Sequence, residues 1–134
     1  MTHLIVDASV AFKWFLEESG SDAARSVQAS GETLAAPAFI AIELQHALRF
    51  AVRGGRLDRS SAIDAVGELD RLFDLLAPTD GLTDEAARLS WTLDHPIYDC
   101  LYIALAAREN ATLVTADDRQ FTAARKARVK ARIL

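Results

Sequence analysis

The sequence predicts an α/β domain with a mainly parallel sheet, and two observations carry that prediction. Short apolar runs such as "LIV", "TLAAP" and "LVT" alternate with longer segments of helical spacing. No repeat, low-complexity tract or Pro/Ser-rich linker interrupts the alternation, so one domain is expected over residues 1–134. A chain of that length can bury about two thirds of its unfolded surface in a single core.

Taken in order, "LIVD" reads as the first strand and "ASVAFKWFLEES" as a helix ended by Gly20. A second helix, "SDAARSVQAS", starts from a Ser21 cap, and "TLAAP" is a short buried strand stopped by Pro37. "AFIAIELQHALRFAVR" is a long helix closed by Gly54 and Gly55. "DRSSAIDAVGELDRL" is the next helix, followed by a strand around "FDLLAP". "TDEAARLSWTLD" and "YDCLYIALAAREN" are helices on either side of His95-Pro96. "ATLVTADD" holds a strand, "RQFTAARK" a short helix, and "VKARIL" closes the chain as an edge strand.

The totals exclude several classes. A hydrophobic fraction of 51% and a charged fraction of 25% belong to a soluble globular protein. No stretch approaches the roughly 18 consecutive apolar residues of a membrane span. The first residues lack the pattern of a secretory signal, and the lone Cys100 can form no internal disulfide. A cytoplasmic protein is expected, with Cys100 a small core residue. The net charge of −4 hides an asymmetry. All 19 acidic residues lie by position 118, whereas Arg119, Arg125, Lys126, Arg128, Lys130 and Arg132 follow with no acid among them. Such a split suggests a polyanion-facing edge beside an acidic body, or simply a solvated basic end.

Right-handed crossovers bring strand C-termini and helix N-termini to one edge of the sheet. Asp7 ends the first strand, Asp117 the "LVTAD" run, Asp99 opens a helix, and Glu43 lies about two turns into another. Singly, Asp7 and Asp117 read as helix caps and Asp99 as a first-turn acid. Glu43 shares a face with Phe39, Ile40, Ala47 and Ala51, and Asp99 precedes the apolar "CLYIALAA", so both acids need a partner. Lys13, expected on a solvent-facing stripe with Glu17, and Arg119 are the only cations near them in sequence. Converging carboxylates raise one another's pKa unless a cation sits among them. An all-oxygen site with no His or Cys ligand spacing suits Mg²⁺ or Mn²⁺. His3, His46 and His95 read as surface or structural residues.

"LIVDASV", "PAFIAIE", "YDCLYIALA" and "LVTADDRQF" together resemble the PIN-domain ribonucleases of the VapC toxin type, over essentially the whole chain. The resemblance implies a three-layer α/β/α sandwich with strand order 3-2-1-4-5. It implies that Asp7, Glu43, Asp99 and Asp117 form a catalytic quartet holding Mg²⁺ or Mn²⁺. Ser9 and Thr115 would be polar residues supporting that shell, and Asp118 would act through water or as a helix cap. The implied activity is endonucleolytic hydrolysis of RNA, leaving a 5′-phosphate and a 3′-hydroxyl. The implied partners are RNA, a VapB-type antitoxin and a second copy of the chain, in a homodimer that becomes a heterotetramer or larger with antitoxin.

Two binding surfaces follow with less sequence support. An acidic site repels RNA, so phosphate contacts are expected at Arg49, Arg53 and Arg56 or at Arg128 and Lys130. The predicted 8–19 helix is apolar nearly all round, and Phe12, Trp14 and Phe15 are assigned to an antitoxin groove. The alternative for those aromatics is burial within the domain. Other enzyme classes fit poorly. An aspartate-dependent phosphatase wants an acid where Ser9 stands, a nucleotide-binding domain wants glycines in "DASVAF", and a phosphorelay receiver finds only Asp80. A PIN fold kept as an RNA-binding or scaffold module without catalysis is the remaining rival.

Overall fold

A computed structural model describes residues 3–134. Its centre is β1 (His3–Val6), which pairs with β2 (Thr33–Pro37) on one side and β4 (Thr112–Thr115) on the other. Leu4, Ile5 and Val6 are all buried, as expected of a central parallel strand covered on both faces. Ile5 lies opposite Ala35 on β2 and Leu113 on β4. β3 (Leu75–Ala77) extends the sheet beyond β2, and β5 (Ala131–Ile133) extends it beyond β4. Every pairing is parallel and the order is β3-β2-β1-β4-β5, the order the resemblance implies.

The connections are α1 (Ala8–Ala11), α2 (Ser21–Gln28), α3 (Ile40–Arg53), α4 (Arg59–Leu72), α5 (Thr83–Leu93), α6 (Ile97–Glu109) and α7 (Asp118–Lys126). The crossovers from β1 to β3 run one way along the sheet and those from β3 to β5 run back. Right-handed crossing therefore puts α1–α4 on one face and α5–α7 on the other. α6 packs against β1, β2 and β4, and Cys100 to Ala106 are buried without interruption. A helix apolar all round has to lie in the interior, and this one does. Asp58 caps α4 through the Ser61 N–H at 2.9 Å, and Asn110 closes α6 at φ 50°.

Two predicted helix boundaries move. The 8–19 segment is not one helix: α1 ends at Ala11 and a 3-10 turn, Phe12–Trp14, follows. An apolar segment with no polar face gave no signal of where the helix stops. Polar anchors downstream decide it, since Lys13 Nζ donates to the Ser19 carbonyl at 2.7 Å and to Glu18 at 3.0 Å. Lys13 is thus folded back into an ion pair with Glu18 rather than turned to solvent with Glu17. Ser21 is also not the cap of α2. Gly20 takes that position at φ 88°, and the buried Ser21 hydroxyl donates to the Leu16 carbonyl and accepts from the Glu18 N–H.

Candidate active site

The C-terminal ends of β1 and β4 lie side by side, at the point where the crossovers diverge, which is where open α/β sheets bind ligands. Asp7 follows β1 and is 4% exposed. It occupies the cap position of α1 without making a side-chain capping bond, so capping does not account for it. Thr115, at the end of β4, donates its hydroxyl to Asp7 Oδ2 at 2.6 Å, and Ser9 donates to the same oxygen at 3.3 Å. Both hydroxyls also accept backbone N–H groups, Ser9 from Ala116 at 3.0 Å and Thr115 from Asp117 at 3.1 Å. These bonds lock the β1 and β4 ends together and orient Asp7.

Glu43, on α3, faces the fully buried Tyr102 of α6, whose hydroxyl donates to Glu43 Oε1 at 2.6 Å. Stacking of Phe39 on Tyr98, with ring centroids 5.1 Å apart, holds the same two helix starts together. Asp99 lies in the first turn of α6, with His95 Nε2 3.7 Å from its Oδ2. Asp117 caps α7 by accepting the Arg119 N–H at 2.9 Å. The cap is therefore Asp117 and not Asp118, which is the exposed first residue of the helix.

Electrostatics tie the acids to one another. Burial pushes Asp7 up to about 6, against the Thr115 and Ser9 hydrogen bonds, and the Asp99 charge pushes the same way. Burial raises Glu43 to about 7, with the charges of Asp7 and Asp99 adding to it and the Tyr102 hydrogen bond opposing it. Asp99 is raised by burial and by Asp117, while the His95 ring pulls it down. Asp7 is buried, Glu43 and Asp99 are half-buried and Asp117 is exposed, and no Lys or Arg is ion-paired to any of them among the described residues.

The donor set is all oxygen, and Glu43 Oε2 and Asp117 Oδ2 keep free lone pairs. That chemistry fits a hard divalent cation. Among the described residues no three His, Cys, Asp or Glu side chains stand close enough together to hold a metal ion between them as they are placed.

Comparison with known proteins places the chain. The sequence pattern of the PIN domain matches residues 4–127. The chain belongs to the PIN domain family. PAE2754 from Pyrobaculum aerophilum superposes with a TM-score of 0.70 at 25% identity, over 91% of this chain and 79% of that one. VapBC2 from Rickettsia felis, solved bound to a DNA fragment from its promoter, gives 0.71 at 15% identity, over 99% of both chains. FitAcB from Neisseria gonorrhoeae gives 0.66 at 16% identity, over 96% of this chain and 95% of that one. The last two likenesses show the fold alone. No curated protein matches the chain.

Within this PIN domain the surface residues picked from sequence scatter. Trp14 and Phe15 pack against the core: the Trp14 indole N–H donates to the Ala24 carbonyl at 2.8 Å and its ring lies 5.6 Å from Phe73. Both stay half-buried in that packing. Phe12 alone of the three borders a cleft of about 480 Å³, beside Ser9, Glu43 and His46. Arg56 is held by Glu18 at 2.7 Å, whereas Arg49 and Arg53 border a separate cleft between α3 and α4. Arg128 and Lys130 are exposed near the β5 edge.

Sequence reading missed the polar clamp under Asp99. Gln120 is fully buried; its Nε2 donates to the Asp99 carbonyl at 2.9 Å, and its Oε1 faces His95 Nε2 at 2.7 Å. Because the Gln120 amide nitrogen is used on Asp99, its oxygen must accept, which places a proton on His95 Nε2. Gln120 lies 21 positions from Asp99. Its only local signal is a polar residue on the inner face of a short helix.

Proposed function

We propose that this chain is a metal-dependent endoribonuclease of the VapC type, acting as the toxin of a toxin–antitoxin pair, with residues 1–134 as a single domain. One observation carries the reading: Asp7, Glu43, Asp99 and Asp117 stand at one sheet edge as mutually repelling carboxylates with no ion-paired Lys or Arg among the described residues. Membership of the PIN domain family supports it. Asp7 and Asp99 would be the central ligands for Mg²⁺ or Mn²⁺, and Glu43 and Asp117 would complete or orient the shell. The bound cation supplies an acidified water and charge neutralisation at the scissile phosphate.

The protein's own part is positional. Thr115 and Ser9 fix one Asp7 oxygen and leave the carboxylate aimed from the end of β1. Tyr102 holds Glu43 from below, and its own hydroxyl stays protonated because burial and the Glu43 charge raise its pKa far above the usual value. Glu43, raised to about 7 without a cation, would be pulled back to its ionised form by a bound one, the form a ligand needs.

Short single-stranded RNA incubated with Mg²⁺ tests the reading. Cleavage to 5′-phosphate ends is expected, and it should disappear in EDTA and in Asp7→Asn or Asp99→Asn. Undiminished cleavage in EDTA, or in either variant, contradicts it. The partner assignments, a VapB-type antitoxin and a homodimer, belong to the same reading. Trp91 on α5, at 89% exposure, is a large apolar side chain suited to an interface. Among the described residues no helix is long and apolar enough to cross a membrane.

A further inference from the structure

Six of the fifteen basic side chains pair with an acid among the described residues. Lys13 and Arg56 share Glu18, Arg25 pairs with Glu17 and Asp22, and Arg71, Arg88 and Arg108 pair within or beside their own helices. Arg119 and Lys126, both on α7, have none among the described residues, as is true of Arg49, Arg53 and Arg59, but only the α7 pair stands by the site acids. Both border a cleft of about 470 Å³ that also takes in Asp99 and Asp117. That volume lies in the usual range for small-molecule clefts, about 300–1,000 Å³.

The lining of the cleft has a direction. Arg119, Thr122, Ala123 and Lys126 recur at the three-, four- and seven-residue spacing of one helical face, so a single side of α7 forms one wall. Arg119 stands beside Asp117, and Lys126 stands about 10 Å further along the axis at 1.5 Å per residue. Pro96 and His95, in the turn between α5 and α6, form part of the opposite wall. Asp94 and Asp118 border the same cleft, so without a bound cation its charge is net negative. The two unpaired cations then determine where along it a phosphate can rest.

We propose that the Asp99–Asp117 cleft along α7 is the channel for the RNA strand beside the scissile bond, with Arg119 and Lys126 gripping successive phosphates. The inference rests on the nuclease reading, but it moves the grip away from both sets chosen from sequence. Arg49 and Arg53 border a cleft that contains none of the site acids, and Arg128 and Lys130 do not border the α7 cleft.

The test is anisotropy titration of a short fluorescein-labelled single-stranded RNA, with Ca²⁺ in place of Mg²⁺ so that the probe stays intact. The Arg119→Ala/Lys126→Ala double variant is compared with Arg49→Ala/Arg53→Ala, which removes equal charge elsewhere. The α7 variant should lose roughly tenfold or more in affinity, and its salt slope should fall by about 1.4, two contacts at roughly 0.7 each. The α3 variant should stay within about twofold of wild type. All four side chains are exposed, and thermal melting checks that each variant folds; Arg119→Gln/Lys126→Gln replaces the first pair if it does not. Unchanged affinity in the α7 variant, or a larger loss in the α3 variant, overturns the proposal while leaving the nuclease reading standing. A wild-type protein that binds no single-stranded RNA overturns both.

Discussion

Asp7 is a buried carboxylate held by hydroxyls and not by any cation of the chain among the described residues. Its raised pKa has a consequence for stability. A carboxyl whose folded-state pKa lies above its unfolded value stabilises the fold fully below the unfolded pKa, and that contribution is lost as pH rises through the folded pKa. For Asp7 the window runs from 3.8 to about 6, and for Glu43 from 4.5 to about 7. The ion-free protein should therefore melt at higher temperature near the bottom of that window than above its top. The Asp7 share is about 3 kcal/mol, from a shift of roughly two units. Melting curves in EDTA across the window check this, and a midpoint that rises with pH would count against it. For the same reason Asp7→Asn should raise the ion-free melting temperature at neutral pH while abolishing cleavage. The positions of the acids were legible from strand ends and helix starts. The Thr115–Asp7 bond joins residues 108 apart and was reached only through resemblance.

The elements show where local pattern stops being informative. α3, α4 and α6 announce themselves by apolar spacing and by their terminal residues, and their bounds fall within about two residues of the expectation. The segment after β1 does not, because a run apolar on every side reads equally well as a continuing helix or as a turn buried from several directions. Trp14 lies in that turn, with its ring on Phe73 and its N–H on α2. Trp14→Ala should therefore destabilise the fold by about 3 kcal/mol, measured by urea unfolding. A stable variant that instead loses only a binding partner would favour the groove assignment. The clamp between α6 and α7 was invisible for a different reason: Gln120 and His95 meet only through the tertiary fold, 25 positions apart. Gln120→Ala leaves the His95 ring and the Asp99 carbonyl without their buried partner. It should cost about 2 kcal/mol by the same measurement and weaken cation affinity, because Asp99 and Asp117 ride on the two helices it joins.

At the scale of the molecule, the parallel order and the reversal of the crossovers at β1 and β4 deliver four acids from four distant segments to one edge. The basic C-terminal stretch finds a structural role there as well. Lys130 and Arg132 flank and occupy β5, an edge strand, where exposed charge discourages pairing with another sheet. The charge split seen in the sequence thus has a partly structural cause, and the unpaired cations of α7 are the part of it that faces the acids. Those acids should bind a divalent cation as a unit. Calorimetric titration of Mn²⁺ into the ion-free protein, wild type beside Asp99→Asn, measures this without reference to any substrate. A saturable binding event in the wild type that is lost in Asp99→Asn is the predicted result. No heat in the wild type, or equal binding in both proteins, would contradict the account.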